Sequence, residues 1–152
     1  MIEYKVVNVA WGFENLSQHF QQHYEEVGMY TEIYPLDIDR HHYEALEQAG
    51  LLTVIAAMDG LKPIGYMVWI VKRHPRYPVI VGFADFYWLH PDYRGKTVAY
   101  RMFKFAEKEL ANRGVERLIV NYKISHPQGR FLMGLGFESF EVSCTKLLKA
   151  NI

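Results

Sequence analysis

Residues 79–89 constrain this chain more than any other segment. Their apolar side chains fall on both parities, with Val79, Val81, Phe83, Tyr87 and Leu89 on one and Ile80, Ala84, Phe86 and Trp88 on the other. A strand with one solvated face is apolar on a single parity, so this one is expected to be covered on both. It runs into Leu89-His90-Pro91-Asp92-Tyr93-Arg94-Gly95-Lys96-Thr97-Val98-Ala99, after which Val98, Met102, Phe105, Ala106 and Leu110 recur at helical spacing. A strand that passes through a Gly- and Arg-containing turn into a helix presents unpaired N–H groups and the positive end of the helix dipole. That is a phosphate site.

Periodicity and punctuation supply the other elements. Residues 3–10 alternate loosely and read as a first strand. Asn15-Leu16-Ser17 opens a helix over 16–27, closed by Gly28. Residues 29–41 contain Pro35 and several acidic groups and read as an irregular excursion, followed by a short helix over 42–48 that ends at Gly50. Residues 51–58 are an apolar run, Asp59-Gly60 is a hairpin signal, and 64–72 is the partner strand. Pro75 and Pro78 confine 74–78 to a loop. Gly114 ends the long helix; 116–122 is another strand, His126-Pro127 starts a short helix through Gly134, and 136–147 is a last strand. No repeat, low-complexity tract or linker divides the chain, so 1–152 reads as one domain.

Composition excludes several classes of function. Half of the 152 residues are apolar and 15% are aromatic, enough for a dense core. Lys+Arg and Asp+Glu number 17 each, so the basic excess that nucleic-acid binding draws on is missing. The single Cys144 excludes an internal disulfide and suits a reducing cytoplasm; in the last strand it is expected to be buried and unreactive. The N-terminus has no signal-peptide layout, and no run approaches the roughly 18 apolar residues of a membrane span. His19 and His23 share a helix face, but no third ligand accompanies them, and no metal is expected.

Arg94, with the small residue Ala99 at the helix start, resembles the pyrophosphate-binding motif Q/R-x-x-G-x-G/A of the GNAT superfamily of acyl-CoA-dependent N-acyltransferases. Leu132-Met133-Gly134-Leu135-Gly136-Phe137 is similar to that superfamily's Y-x-x-x-G-F segment before the last strand. The resemblance implies an α/β (α+β) fold. Its central sheet would be mixed, mostly antiparallel, of about six to seven strands flanked by about four helices, with the fourth and fifth strands splayed. It implies acetyl-CoA as co-substrate in that opening. Tyr87, Trp88 and Leu89 would pair with the pantetheine arm, and Arg94, Gly95, Lys96, Thr97, Val98 and Ala99 would line the pyrophosphate. Thr97 stands where the motif has glycine; its side chain would either crowd the pyrophosphate or cap the helix.

Asp85 lies inside the apolar strand, where an uncompensated carboxylate is costly, so something must satisfy or use it. Burial would raise its pKa toward neutrality, as suits a general base taking a proton from a substrate ammonium. The alternative is a structural partnership with a neighbouring cation or backbone group; a β-bulge would change which way it points. Some superfamily members, the polyamine acetyltransferases among them, carry a Glu at the matching place. Leu132 occupies the position of the superfamily's proton-donating Tyr. Tyr122, His126 or solvent is then left to protonate the departing thiolate. On the acceptor side, Glu25, Glu26, Glu32, Asp37 and Asp39 with Tyr24, Tyr30 and Tyr34 form either a rim that attracts a cationic amine or a plain solvated surface.

The resemblance therefore implies an N-acetyltransferase moving an acetyl group to a primary amine by direct attack in a ternary complex. Two rivals stay open: a catalytically silent CoA-binding or protein-interaction module, and a modifier of an amine on a protein or a nucleic-acid base. The apolar last strand is compatible with a homodimer.

Overall fold

The Asp59-Gly60 signal becomes a tight hairpin: Gly60 sits at φ +60° and Asp59 of β2 (Leu52–Asp59) pairs with Lys62 of β3 (Lys62–Arg73). β1 (Ile2–Val7) pairs antiparallel with β2, and β4 (Ile80–Leu89) antiparallel with β3. β5 (Arg117–Ile119) runs parallel to β4, which completes the five-stranded order β1-β2-β3-β4-β5. The structure is a computed structural model that describes residues 1–149. Met1–Phe20 and Ile38–Asn121 form one unit, which holds the whole sheet; Gln21–Asp37 and the chain from Tyr122 on form a second.

Successive residues of a strand face opposite sides of the sheet. Val68 of β3 packs with Val9, Leu52 and Val54 beneath Phe13 of α1 (Val9–Asn15) and Tyr43 and Leu46 of α3 (Arg40–Gln48). Its neighbour Trp69 meets Phe103 of α4 (Val98–Asn112) edge-on at 6.4 Å. The sheet is thus covered on both sides, as the two apolar parities of 79–89 require. α4 buries Val98, Met102, Phe103, Ala106 and Leu110, each of the larger ones contributing about 1.5–3 kcal/mol over exposure. Phe103 takes the place expected for Phe105, which lies at the stripe's edge beside Tyr4. On β2 the buried Thr53 hydroxyl accepts a 2.5 Å bond from Arg113 Nη1, so its burial is compensated.

Four expectations need correction. The first strand stops at Val7, because Asn8 caps α1 through its side-chain oxygen, which accepts the Trp11 amide at 2.7 Å. The helix expected over 16–27 is a 3-10 turn, Ser17–His19, followed by α2 (Phe20–Val27); α1 is an added helix, so with α5 (Gly129–Gly134) the described residues hold five rather than about four. The last strand expected over 136–147 does not form, so among the described residues the sheet has five strands rather than six or seven. Alternating residues such as Phe140, Val142 and Cys144 favour a strand only where a ladder partner accepts them. Without one these side chains are exposed, the expected buried Cys144 among them.

Candidate active site

β4 and β5 pair at only three registers, Val81 with Arg117, Gly82 with Leu118 and Phe83 with Ile119. β4 then continues from Ala84 to Leu89, whereas β5 has ended. Beyond the parting, the Tyr87 hydroxyl donates to the Asn121 carbonyl at 3.2 Å, so a side chain reaches that carbonyl where a ladder amide would otherwise do so. The Tyr87 ring is steadied by an edge contact with Phe103 at 5.5 Å. A sheet edge opened in this way offers main-chain donors and acceptors to an extended amide-bearing ligand.

At the end of β4 the His90 amide bonds the Ile64 carbonyl (2.7 Å), and a 3-10 turn over Pro91–Tyr93 leads to Arg94. The Tyr93 hydroxyl donates to Asp59 at 2.6 Å and ties this turn to the β2–β3 hairpin; that bond raises its pKa. Arg94 Nε donates to the Leu89 carbonyl at 2.7 Å, and its guanidinium lies 5.9 Å from the Trp88 ring centre. The arginine therefore braces the turn itself. Gly95 adopts φ +75° with open space around it, a conformation that favours glycine.

The first intrahelical bond of α4 runs from the Arg101 amide to the Thr97 carbonyl, 2.9 Å. The amides of Val98, Ala99 and Tyr100 precede it and have no intrahelical acceptor. The Tyr4 hydroxyl donates to the Val98 carbonyl at 3.0 Å and anchors this helix start to β1. Thr97 is exposed, in helical rather than extended geometry, and makes no cap hydrogen bond. Its hydroxyl does not compete for these amides.

Asp85 departs from expectation in its environment. Val68 pairs with Phe86 and Trp69 with Ala84, so Asp85 is the extra residue of a β-bulge. The bulge lets Asp85 and Phe86, adjacent in sequence, both meet the same tyrosine. Tyr43 donates its hydroxyl to Asp85 Oδ2 at 2.6 Å and places its ring edge-on to Phe86 at 6.0 Å. Asp85 is exposed, not buried, so desolvation is not what equips it; Tyr43 satisfies one oxygen and solvent reaches the carboxylate. Burial and, second, the bond to Asp85 push the Tyr43 pKa well up, so the phenol stays a donor. Sequence reading missed Tyr43, since the pair is 42 residues apart. The one available signal was Asp39 as N-cap of α3, accepting the His42 amide at 3.1 Å and so starting the helix that carries Tyr43.

Beside this pair, on the α1–α3 face, lies an apolar cleft whose wall is a chain of edge-to-face rings: Phe13–Phe20 at 6.0 Å, Phe20–Tyr66 at 5.5 Å, Tyr66–Phe86 at 5.7 Å, then Tyr43. Gly12 is also in the lining, and a Cβ there would meet only Leu16 at 3.8 Å. His19 is buried against Trp88 (4.9 Å), and its Nε2 donates to the Pro63 carbonyl at 3.0 Å. Desolvation lowers its pKa, against the raising effect of that bond. Among the described residues no group of three or more His, Cys, Asp or Glu could hold a metal ion, and no helix is long and apolar enough to cross a membrane.

Tyr122 and His126 belong to the second unit. Tyr122 is 40% exposed, and its hydroxyl lies 2.9 Å from where a Gly129 Cβ would stand. His126 sits in a turn, its amide bonded to the Lys123 carbonyl (2.9 Å) and Nδ1 3.1 Å from Ser125 Oγ. α5 begins only at Gly129, so His126 is not at a helix start as expected. Glu25, Glu32 and Asp37 are exposed, and the Tyr24 hydroxyl donates to the Tyr34 carbonyl.

Comparison with curated proteins gives no match. A model of the acetyltransferase (GNAT) family matches residues 13–137. Among solved structures the chain is similar to a predicted acetyltransferase with acetyl-CoA from Clostridium acetobutylicum, at 17% identity over 97% of each chain and a TM-score of 0.76. It is also similar to an aminoglycoside acetyltransferase from an uncultured soil metagenomic sample in complex with sisomicin (13% identity, 97% of each chain, TM-score 0.73). A third is the ribosomal-protein-alanine N-acetyltransferase from Brucella melitensis biovar Abortus 2308, at 16% identity over 96% of this chain and 97% of that one, TM-score 0.69.

Proposed function

From the premise that the chain belongs to the acetyltransferase (GNAT) family, we propose that it moves an acetyl group from acetyl-CoA to a primary amine by direct attack in a ternary complex. The observation that carries this reading is the parting of β4 from β5 after Phe83, next to a helix start whose first amides lack intrahelical acceptors. Residues 87–89, Tyr87, Trp88 and Leu89, offer main-chain groups to the pantetheine arm. The amides of Gly95 to Ala99, with Lys96, take the pyrophosphate. Arg94 acts by holding the turn through the Leu89 carbonyl.

Asp85 serves as base. One carboxylate oxygen is held by Tyr43 and the other takes a proton from the substrate ammonium, directly or through water. The amine nitrogen then attacks the thioester carbonyl, the C–N bond forms, the nitrogen loses its second proton to solvent, the C–S bond breaks, and the thiolate leaves with a proton from solvent, Tyr122 or His126. The lone thiol of the exposed Cys144 suits a reducing compartment such as the cytoplasm.

Isothermal titration with acetyl-CoA, paired with thioester release over an amine panel, tests the reading. Binding with turnover is expected, and Asp85→Asn should cut kcat by about 10²-fold or more while acetyl-CoA affinity holds. Absence of acetyl-CoA binding overturns the transferase, and unchanged turnover in Asp85→Asn removes the base.

A further inference from the structure

We infer that the acceptor is a primary amine carrying one compact apolar group, aromatic or branched, which enters the cleft between α1, α3 and the sheet. The inference rests on the transferase reading and specifies its substrate. Three observations carry it. The cleft is walled by the rings of Phe13, Phe20, Tyr43, Tyr66 and Phe86, and no charged side chain is in its lining. The rings pack edge-to-face with centres 5.5–6.0 Å apart and present apolar edges and faces to a compact substituent. Tyr43 belongs both to this wall and to the pair with Asp85, so an ammonium at the carboxylate puts its substituent at the cleft.

The rim discriminates as well. The Arg40 guanidinium stands 5.0 Å from the Phe13 ring centre and is held there by Glu44 at 2.6 Å. That ion pair lies beside the Phe13 wall and leaves the lining itself apolar, with no carboxylate to receive a second cationic group on the substrate. Polyamines and amino sugars are therefore disfavoured, because a second ammonium or a set of sugar hydroxyls would be desolvated against this apolar lining without charged partners. Gly12 is the gap in the wall: a Cβ fits there in ordinary contact, so larger side chains at this position project into the space the substituent needs.

The test compares 2-phenylethylamine, ethylamine, spermidine and glucosamine as acceptors, in the wild type and in Gly12→Leu. Gly12→Ala serves as the milder variant should Gly12→Leu fold poorly. We expect kcat/KM for 2-phenylethylamine to exceed that for spermidine and glucosamine by about tenfold or more, and its advantage over ethylamine to fall about tenfold in Gly12→Leu and partly in Gly12→Ala. A preference for spermidine or glucosamine overturns the inference, as does an aromatic-to-ethyl ratio unmoved in both variants. Acetyl-CoA titration is run in parallel, and if the thioester is never consumed the transfer reading fails by itself. The cleft is then judged by direct titration of 2-phenylethylamine: weaker binding in the Gly12 variants upholds it, and equal or absent binding overturns it.

Discussion

Replacing Tyr43 with Phe keeps the ring against Phe86 and removes one atom, the hydroxyl that donates to Asp85 at 2.6 Å. Hydrogen bonds to charged groups contribute about 1.5–3 kcal/mol. Asp85 is exposed, so water takes the vacated oxygen and the loss shrinks to roughly 1 kcal/mol, or ~2–4 °C in Tm for a chain of this size. The sharper test is pH. Burial and the Asp85 bond raise the Tyr43 pKa above the ordinary 10.0. The unfolded chain therefore loses this proton before the folded chain does. The stability it contributes is complete below about pH 10 and is lost as pH rises through the folded value. Urea unfolding of both proteins from about pH 7 to about pH 11 should show the wild type ahead at first and the gap closing above about pH 10. Tyr4 and Tyr93, whose pKa values are also raised, are common to both proteins and cancel. Turnover of Tyr43→Phe should fall roughly tenfold through kcat, because the carboxylate loses its tether, while acetyl-CoA affinity holds. A gap that is absent at neutral pH, or constant to the alkaline limit, refutes the pairing; unchanged kcat refutes its part in orienting Asp85.

Three further outcomes are expected. Ala99→Asp puts a carboxylate among the first amides of α4, which should stabilise the helix by about 0.3–1 kcal/mol yet weaken acetyl-CoA binding by about tenfold or more in titration; tight binding by that variant would move the pyrophosphate elsewhere. Arg113→Ala and Thr53→Val, which each break the 2.5 Å bond under β2, should cost about 1–3 kcal/mol singly and clearly less than the sum together, and additivity in the double-mutant cycle would deny the contact. His19, with its pKa lowered by burial, contributes stability that is present above about pH 6.5 and lost as pH falls through its folded value. His19→Gln should flatten the acid limb of stability measured by denaturant, and an unaltered limb would place that titration on another group.

The parts of the fold that were legible share one property: their determinants are local. Asp59-Gly60 demands a turn, the two-parity run of β4 demands cover on both faces, and the stripe of α4 is set by its own spacing. The helix start after Arg94 was legible for the same reason. The hydroxyl of Tyr43 could not be found in this way, because only the bulge and the docking of α3 bring it to Asp85. The burial expected for Asp85 failed on the same point: alternation along an apolar strand says nothing of an inserted residue. The strand expected over 136–147 failed because an alternating pattern states a preference, while a ladder partner decides the outcome.

The bulge at Asp85 has a consequence that reaches past the carboxylate. Because β4 is one residue longer there than its neighbour, everything from Phe86 to Leu89 is out of step with the alternation set by Ile80 to Ala84. Phe83 therefore shares a face of the sheet with Phe86 and Trp88 although their parity in the sequence differs. Excising residue 85 would restore a regular ladder, Ala84 with Trp69 and Phe86 with Val68, that leaves Tyr87 and Trp88 on the faces they now hold. One inserted unit of chain thus supplies the carboxylate while the open rim and the aromatic cleft keep their places.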